Sequence, residues 1–262
     1  MSDLEEALTL TPTHDGASNA FADPRYESNT GMFGGWTAAV ILKSVIDDAA
    51  RLGTPSAITV NYIAKIDPGM HVVVRSRRVG GSRSLHHWQS EVLAGDDGRL
   101  FAHAMLVFAD RRETDGHTEA TMPDAPDPET LEEFHPPSTQ GERCLVRPIV
   151  GSPPFARGST ASLAWVRDTT GRKVDEVQLA YLADSNAPRS FFWSEGPRLS
   201  ATMTLSVYFH AIPEEVDQVG DDYVLTEAVG TRGASSTADQ QTRLWRKDGV
   251  LLATSEQLAW YR

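Results

Sequence analysis

Residues 248–262 (DGVLLATSEQLAWYR) repeat the pattern of residues 97–111 (DGRLFAHAMLVFADR), and this repeat is the main indication of the architecture of the chain. Asp-Gly, a Leu, an Ala and the closing Arg stand at matching positions in both stretches. Two more pairs of segments match in the same order: SAITVNYIAKI (56–66) with SATMTLSVYFHAI (200–212), and VGGSRS (79–84) with VGTRGASS (229–236). Three matches in one order predict two copies of a single supersecondary unit.

Each copy combines one amphipathic helix with alternating strands. In the first copy, apolar residues recur every three or four positions over residues 34–53, which predicts a helix that Gly53 ends. In the second copy, VDEVQLAYLADS (174–185) is the predicted helix. The strands of that copy are predicted near residues 143–150, 160–167, 200–210, 222–230, 236–246 and 250–261. One helix against an antiparallel meander, twice over, predicts the α+β class.

The two copies are separated by residues 112–142, which are rich in Pro, Asp, Glu and Thr and poor in apolar side chains. Such a composition is typical of a linker. We therefore predict an N-terminal domain over residues 1–111, a linker over 112–142 and a C-terminal domain over 143–262.

Composition restricts the class of partner. The net charge of −12, from 36 acidic and 24 basic side chains, disfavours nucleic acid or an anionic membrane surface. The single cysteine, Cys144, excludes an intrachain disulfide, so we expect a reduced, cytoplasmic compartment. No apolar run approaches the roughly 20 residues that span a bilayer, so we expect no membrane insertion. Because His86 and His87 point to opposite faces of a strand, no metal site is predicted.

Three polar residues interrupt apolar patterns in the second copy only. Gln257 stands where the first copy has Leu106, and the match of SAITV to SATMT aligns Thr202 with Ile58. Asp184 falls on the apolar face of the predicted second helix. We therefore expect these three side chains to point toward one interior.

Two interpretations of these residues stay open. Each could be exposed, or could be a buried polar group with a partner, since an unpaired buried group costs on the order of 1–3 kcal/mol. Alternatively, a carboxylate, a hydroxyl and an amide around one small space can hold a water molecule, with Asp184 as the proton acceptor. That arrangement would be a hydrolytic site without a metal ion or a covalent nucleophile.

Four segments in order carry a resemblance to a known family. GMFGGWTAA (31–39), YLADS (181–185), SATMTLSVYFH (200–210) and DGVLLATSEQLAWYR (248–262) resemble the acyl-CoA thioesterase II-like family of tandem, or double, hotdog proteins. The resemblance implies two tandem antiparallel sheets, each wrapped around a central helix. One chain would thus imitate the dimer of the single-hotdog relatives.

The resemblance also implies the site. In the family, an Asp on the second helix, a Thr or Ser on the next strand and a Gln on the last strand bind the attacking water; the matching residues here are Asp184, Thr202 and Gln257. Gly34 and Gly35 are substrate-binding candidates, because glycine lets backbone amides approach a developing oxyanion closely. Trp36 stands where relatives often carry a Gln or an aromatic residue, so we expect it to reshape the acyl channel.

The implied function is hydrolysis of a fatty or other acyl-CoA to the free acid and coenzyme A, without a cofactor. The alternative from another class is a non-catalytic acyl-CoA or acyl-carrier binding protein. The enzymatic alternative is a hotdog enoyl-CoA hydratase or dehydratase, which is disfavoured because its His five residues after the Asp is Arg189 here. From the resemblance we also expect a role in lipid metabolism and a homo-oligomer, a dimer or larger.

Overall fold

A computed structural model describes residues 2–14 and 16–262 of the chain. The helices are α1 (Asp3–Ala7), α2 (Gly34–Ile46), α3 (Glu176–Leu182) and α4 (Pro213–Asp217). Short 3-10 helices cover Pro24–Tyr26, Pro128–Thr130, Gln140–Arg143 and Arg189–Trp193. The strands of the N-terminal half are β1 (Thr11–Pro12), β2 (Ser18–Phe21), β3 (Glu27–Ser28), β4 (Gly31–Met32), β5 (Thr54–Tyr62), β6 (His71–Gly81), β7 (Leu85–Ala94) and β8 (Leu100–Ala109). Those of the C-terminal half are β9 (Cys144–Val150), β10 (Ser162–Asp168), β11 (Ser200–Phe209), β12 (Val224–Val229), β13 (Gly233–Ala234), β14 (Thr237–Trp245) and β15 (Leu251–Tyr261).

Apart from the short β3–β4 hairpin, the strands of the described residues form one antiparallel sheet of 13 strands. Its order is β1-β2-β6-β7-β8-β5-β11-β15-β14-β12-β10-β9, with β13 beside β14. The halves meet where β5 pairs with β11. The order β6-β7-β8-β5 of the first half returns reversed as β11-β15-β14-β12 in the second, as two copies around a twofold axis require. The predicted α+β class is confirmed, and the two predicted sheets are hydrogen-bonded into one.

The central helix of the first half is α2, which is buried along most of its length and packs against α3. It ends at Ile46, earlier than the predicted end at Gly53. Asp47 and Asp48 follow, and acidic side chains disfavour continuation at the negative end of a helix. Gly53 instead has φ 73°, a left-handed conformation that lets the chain turn into β5.

The central helix of the second half, α3, is also shorter than predicted. Asp175 caps its start, because the carboxylate accepts a hydrogen bond from the Gln178 N–H at 2.8 Å. The helix ends at Leu182, so Asp184 lies in the turn that follows. Within residues 2–14 and 16–262, no helix combines the length and apolar character that crossing a bilayer requires.

The strand register shows which residues of the two halves are equivalent. Leu106 pairs with Ile58 across β8 and β5, and Gln257 pairs with Leu205 across β15 and β11. If Gln257 is the structural counterpart of Leu106, then Leu205 is the counterpart of Ile58. The predicted match of Thr202 with Ile58 is therefore wrong by three positions.

The structural counterpart of Thr202 is Pro55. Pro55 pairs with Phe108 just before a register shift in β5, and Thr202 pairs with Ala259 just before the matching shift in β11. Such irregularities bend a strand and re-aim its side chains. The same backbone feature therefore carries a proline in one half and a hydroxyl in the other.

The segment predicted as a linker packs against the C-terminal half. Trp165 Nε1 donates to the Pro126 carbonyl at 2.9 Å, and Arg147 donates to the Leu131 carbonyl at 2.6 Å. Met122 and Leu131 contact a small apolar cluster that is separate from the core around the helices. That cluster consists of Leu163, Trp165, Tyr223, Leu225 and Trp245. The segment is thus part of the C-terminal half in its contacts, while the domain bounds themselves stay a prediction.

Candidate active site

Asp184, Thr202 and Gln257 meet at one point. Gln257 Nε2 donates hydrogen bonds to Asp184 Oδ1 and to Thr202 Oγ1, both at 2.5 Å. The Asp184 side chain is buried, with 8% of the residue exposed. The structure therefore brings together the three polar side chains that the sequence singles out, and their catalytic role stays a prediction.

Three elements of the C-terminal half position these side chains. Thr202 lies in β11 beside the register shift, and Gln257 lies in the neighbouring strand β15. Asp184 lies beyond the end of α3 and not on its apolar face, which corrects the predicted placement. Ser255 Oγ donates to the Ala183 carbonyl at 3.3 Å and so ties the end of α3 to β15.

The first half completes the site with the N-terminus of α2. The Gly35 N–H hydrogen-bonds the Asp184 carboxylate. A Cβ on Gly34 would lie 2.5 Å from Asp184 Oδ2, so only glycine fits beside this carboxylate without a shift. Because a helix N-terminus carries partial positive charge, it favours negative charge at this point. Contact of Gly34 and Gly35 with a substrate stays a prediction.

The electrostatics of the site leave Asp184 able to exchange a proton near neutral pH. Burial raises the pKa of Asp184 from 3.8 to about 7. Hydrogen bonds from Gln257, the Gly35 amide and Thr202 act in the opposite direction, because they stabilise the carboxylate. Nearby, burial raises the pKa of Tyr62 well above its usual range, so its phenol stays neutral.

The three side chains line a cavity of about 1130 Å³ between the two halves. This volume slightly exceeds the roughly 300–1,000 Å³ of typical small-molecule sites. Apolar side chains make up much of the wall; they include Phe33, Ile66 and Phe101 of the first half and Val146, Val166 and Phe191 of the second. The cavity can therefore take an elongated apolar group with its polar end at Asp184.

Trp36 does not line this cavity, and its effect on the acyl channel stays a prediction. Its indole is fully buried and donates to the Ala7 carbonyl at 3.1 Å, so it anchors α1 to α2. Gly34 and Thr37 face the cavity instead, because residues three apart share one side of a helix while Trp36 lies between them on the other side.

Two residues that touch the site were missed in the sequence. Gln240 Nε2 donates to Gln257 Oε1 at 3.0 Å, and Tyr62 Oη donates to the Gly34 carbonyl at 2.9 Å. The signal for Gln240 was a polar residue in the inward-facing series of β14, at Ala238, Gln240, Thr242 and Leu244. Tyr62 had no such signal, since a tyrosine at a strand end is common in any sheet.

Arg189 takes no part in an acid–base pair with Asp184. Its guanidinium is buried and donates to the carbonyls of Thr160, Ala187 and Ala228. Burial lowers its pKa to about 9, which still leaves it charged at neutral pH. Its bonds to Ser162 Oγ and to the Ala228 carbonyl tie the segment after α3 to β10 and β12.

Comparison with protein families gives two adjacent matches. Residues 22–109 match the acyl-CoA thioesterase N-terminal domain, and residues 118–261 match the acyl-CoA thioesterase C-terminal domain. The second match takes in most of the segment predicted as a linker, in agreement with its packing on the C-terminal half.

Solved structures match the chain over its whole length. A hot dog fold protein of unknown function from Alicyclobacillus acidocaldarius is 32% identical over 100% of this chain and 98% of its own, with a TM-score of 0.95. An acyl-CoA thioesterase II from Mycobacterium marinum is 17% identical over 99% of this chain and 96% of its own, with a TM-score of 0.77, a similarity of fold alone. The search of curated proteins finds no match. The double hotdog fold expected from the sequence is confirmed.

Proposed function

The chain belongs to the acyl-CoA thioesterase family, and we propose that it hydrolyses acyl-CoA thioesters to the free acid and coenzyme A with water activated by Asp184. The observation that carries the proposal is the amide of Gln257, which bonds Asp184 and Thr202 at once on the wall of an apolar cavity. No cofactor is needed, since the side chains and water supply every atom of the reaction.

The hydrogen bonds assign a role to each group. Both N–H bonds of the Gln257 amide are used by Asp184 and Thr202, so the amide holds the carboxylate and the hydroxyl side by side at the cavity wall. A water molecule beside them donates one hydrogen to the Asp184 carboxylate. With a pKa of about 7, Asp184 is basic enough to take the proton and acidic enough to release it.

The reaction balances with these groups alone. As Asp184 takes the proton, the water oxygen bonds to the thioester carbonyl carbon and the carbonyl becomes an oxyanion. We propose that the positive end of α2 stabilises this charge at Gly34, since the Gly35 N–H is bonded to Asp184. When the intermediate collapses, the C–S bond breaks and the departing sulfur takes the proton back from Asp184, which leaves a carboxylic acid and the thiol of coenzyme A.

The test is release of free thiol from short, medium, long and aromatic acyl-CoAs by the parent and by Asp184→Asn. We expect turnover of at least one substrate and a loss of about 10²–10⁴-fold in the variant, because the general base is gone. The parent rate should rise with pH through about 7, as Asp184 ionises. The control is Glu256→Gln, which removes an exposed carboxylate from the opposite face of β15 and should leave the rate unchanged.

Two results would contradict the proposal. Equal rates in the parent and a folded Asp184→Asn would remove the role of Asp184. Acyl-CoA that raises the melting temperature without any release of thiol would favour the non-catalytic binding protein. The cytoplasmic location and the homo-oligomer stay predictions, the latter to be checked by light scattering of the purified protein.

A further inference from the structure

The amide of Gln257 is itself held by a second glutamine. Gln240 lies in β14 directly opposite Gln257 in the sheet register. Its Nε2 donates to Gln257 Oε1 at 3.0 Å, and only 4% of the residue is exposed. A chain of hydrogen bonds therefore runs from Gln240 through Gln257 to Asp184 and Thr202.

The Gln257 amide has two orientations that fill the same space, since its oxygen and nitrogen differ chiefly in what they donate and accept. With its NH2 group toward Asp184, it stabilises the carboxylate. Turned over, its oxygen would repel the carboxylate but would accept a hydrogen bond from the protonated acid. The turned orientation would thus hold the proton that Asp184 has to return to the leaving group.

Gln240 disfavours the turned orientation. Its NH2 group points at Gln257 Oε1, and turning the amide would set two NH2 groups against each other. Asp184 alone does not select the orientation throughout the cycle, because it is an acceptor when ionised and a donor when protonated. In the arrangement shown, Gln240 presents a donor to Gln257 Oε1 that does not depend on the protonation state of Asp184.

Packing alone does not explain a glutamine at this position. The corresponding pair in the first half is Trp88 opposite Leu106, and both side chains are buried. Gln240 Oε1, in contrast, has no hydrogen-bond partner among the described residues. An apolar residue would avoid this unpaired acceptor, so the polar side chain has to be explained by what its NH2 group does.

We propose that Gln240 is a positioning residue, which fixes the amide of Gln257 so that Asp184 faces a hydrogen-bond donor both before and after it takes a proton. The proposal rests on the function proposed above. It predicts that loss of the Gln240 donor stabilises the protonated form of Asp184.

Few groups other than Gln257 can alter the titration of Asp184. Tyr62 on β5 is the titratable group that faces it among the described residues, and its phenol stays neutral. The other neighbours, Thr202 on β11 and the Gly35 amide on α2, carry no charge. A change in the titration of Asp184 on mutation of Gln240 would therefore act through Gln257.

The experiment compares Gln240→Leu with the control Thr242→Val. Thr242 lies two positions along β14 on the same face, is 2% exposed and has an Oγ1 without a partner among the described residues. Unlike Gln240, Thr242 does not line the cavity. Both variants thus delete a buried polar group of one strand face, and only one of them touches Gln257.

Two readouts are taken on each protein: an NMR titration of the Asp184 carboxyl carbon, assigned with Asp184→Asn, and the pH dependence of kcat for thioester hydrolysis. In Gln240→Leu we expect both midpoints to move to about tenfold lower proton concentration. Because about half of Asp184 is ionised in the parent at pH 7, kcat at pH 7 should fall about fivefold and recover at pH 9. KM should change less than kcat. Thr242→Val should keep the parent midpoints.

The outcomes separate this proposal from the function on which it rests. An unchanged Asp184 midpoint in Gln240→Leu overturns the role of Gln240, whatever the protein hydrolyses, because the titration needs no substrate. A moved midpoint in a protein that turns over no acyl-CoA would keep the role and overturn the function. If Gln240→Leu does not fold, Gln240→Met, which keeps the side-chain length, is measured in the same way.

Discussion

The two halves of this molecule place different chemistry at the same positions of one scaffold. Trp88 and Leu106 face each other in the N-terminal half, where they fill the core. Gln240 and Gln257 occupy the equivalent pair in the C-terminal half, where they line the cavity. A sheet that tolerates either pair in one register can keep one copy for stability and use the other for a site.

The C-terminal half does not build the site alone. Its carboxylate, Asp184, is met by Gly35 and Gly34 at the N-terminus of α2, which belongs to the first half. The helices of the two halves pack against each other, and this contact brings the two contributions together. The N-terminal half therefore contributes the partial positive charge of a helix N-terminus, and the C-terminal half contributes the polar side chains.

The largest loss of activity is expected when Gln257 is replaced by leucine, the residue at the equivalent position of the first half. Gln257→Leu removes the bridge between Asp184 and Thr202, and we expect thioester hydrolysis to fall by about 10²–10³-fold. The double variant Gln240→Leu/Gln257→Leu should be as inactive as Gln257→Leu alone. It should be at least as stable as that single variant, because the amide of Gln240, which would have lost its acceptor, is also removed. Thiol release and thermal unfolding measure the two effects. A double variant that keeps the parent rate would refute the proposed site.

The next test attacks the contribution of the first half. In Gly34→Ala the new methyl group would lie 2.5 Å from Asp184 Oδ2, so we expect the carboxylate to shift and kcat to fall about tenfold or more with little loss of stability. In Gly35→Ala it would lie 2.4 Å from the Tyr181 carbonyl in the packing of α2 against α3, so this variant should lose stability instead. Rates at saturating substrate and melting temperatures separate the two. If Gly34→Ala and Gly35→Ala both lost mainly kcat, or both lost mainly stability, the different roles assigned to the two glycines would be wrong.

A third test uses the buried carboxylate of Asp184 in the second half. The pKa of Asp184 is 3.8 in its ordinary state and about 7 in the fold, so the folded protein holds this proton more tightly. The protonated Asp184 therefore adds to the free energy of unfolding. This contribution is complete below about pH 4 and is lost as the pH rises through about 7. Asp184→Asn should therefore melt about 5 °C above the parent at pH 8 and close to it at pH 4.

This difference is measured by thermal unfolding at both pH values. The exposed Glu256→Gln serves as control and should follow the parent at each pH. If Asp184→Asn melts below the parent at pH 8, the buried carboxylate stabilises the fold and the direction given above is wrong.

The smallest change in stability and activity is expected at the contact between α1 and α2. Trp36→Phe loses the hydrogen bond to the Ala7 carbonyl, which should lower the free energy of unfolding by about 1–2 kcal/mol and leave the acyl preference unchanged. Phe33→Leu, one turn away on the cavity wall, should change the acyl preference. Relative kcat/KM across the acyl-CoA panel tests both. A changed chain-length preference in Trp36→Phe would show that Trp36 does influence the acyl channel.

The repeat and its periodicity were enough to predict the α+β class, the two copies and most strands of the second half. These features depend on local patterns, because the period of apolar residues follows from the geometry of helices and strands. The ends of the helices were predicted too late, since Asp47 and Asp48 end α2 through electrostatics that hydrophobic periodicity ignores. The segment 112–142 was assigned by composition, which cannot show that Met122 and Leu131 find an apolar surface to pack against.

In the site, the sequence alone shows that Asp184, Thr202 and Gln257 interrupt apolar patterns in one copy, and the family resemblance implies their roles. Three features become visible only in the folded chain: Pro55 is the counterpart of Thr202, Trp36 faces α1, and Gln240 donates to Gln257. These features depend on strand register and helix rotation. Both are set when distant segments pack, and a shift of one residue along a strand or helix moves a side chain to another face.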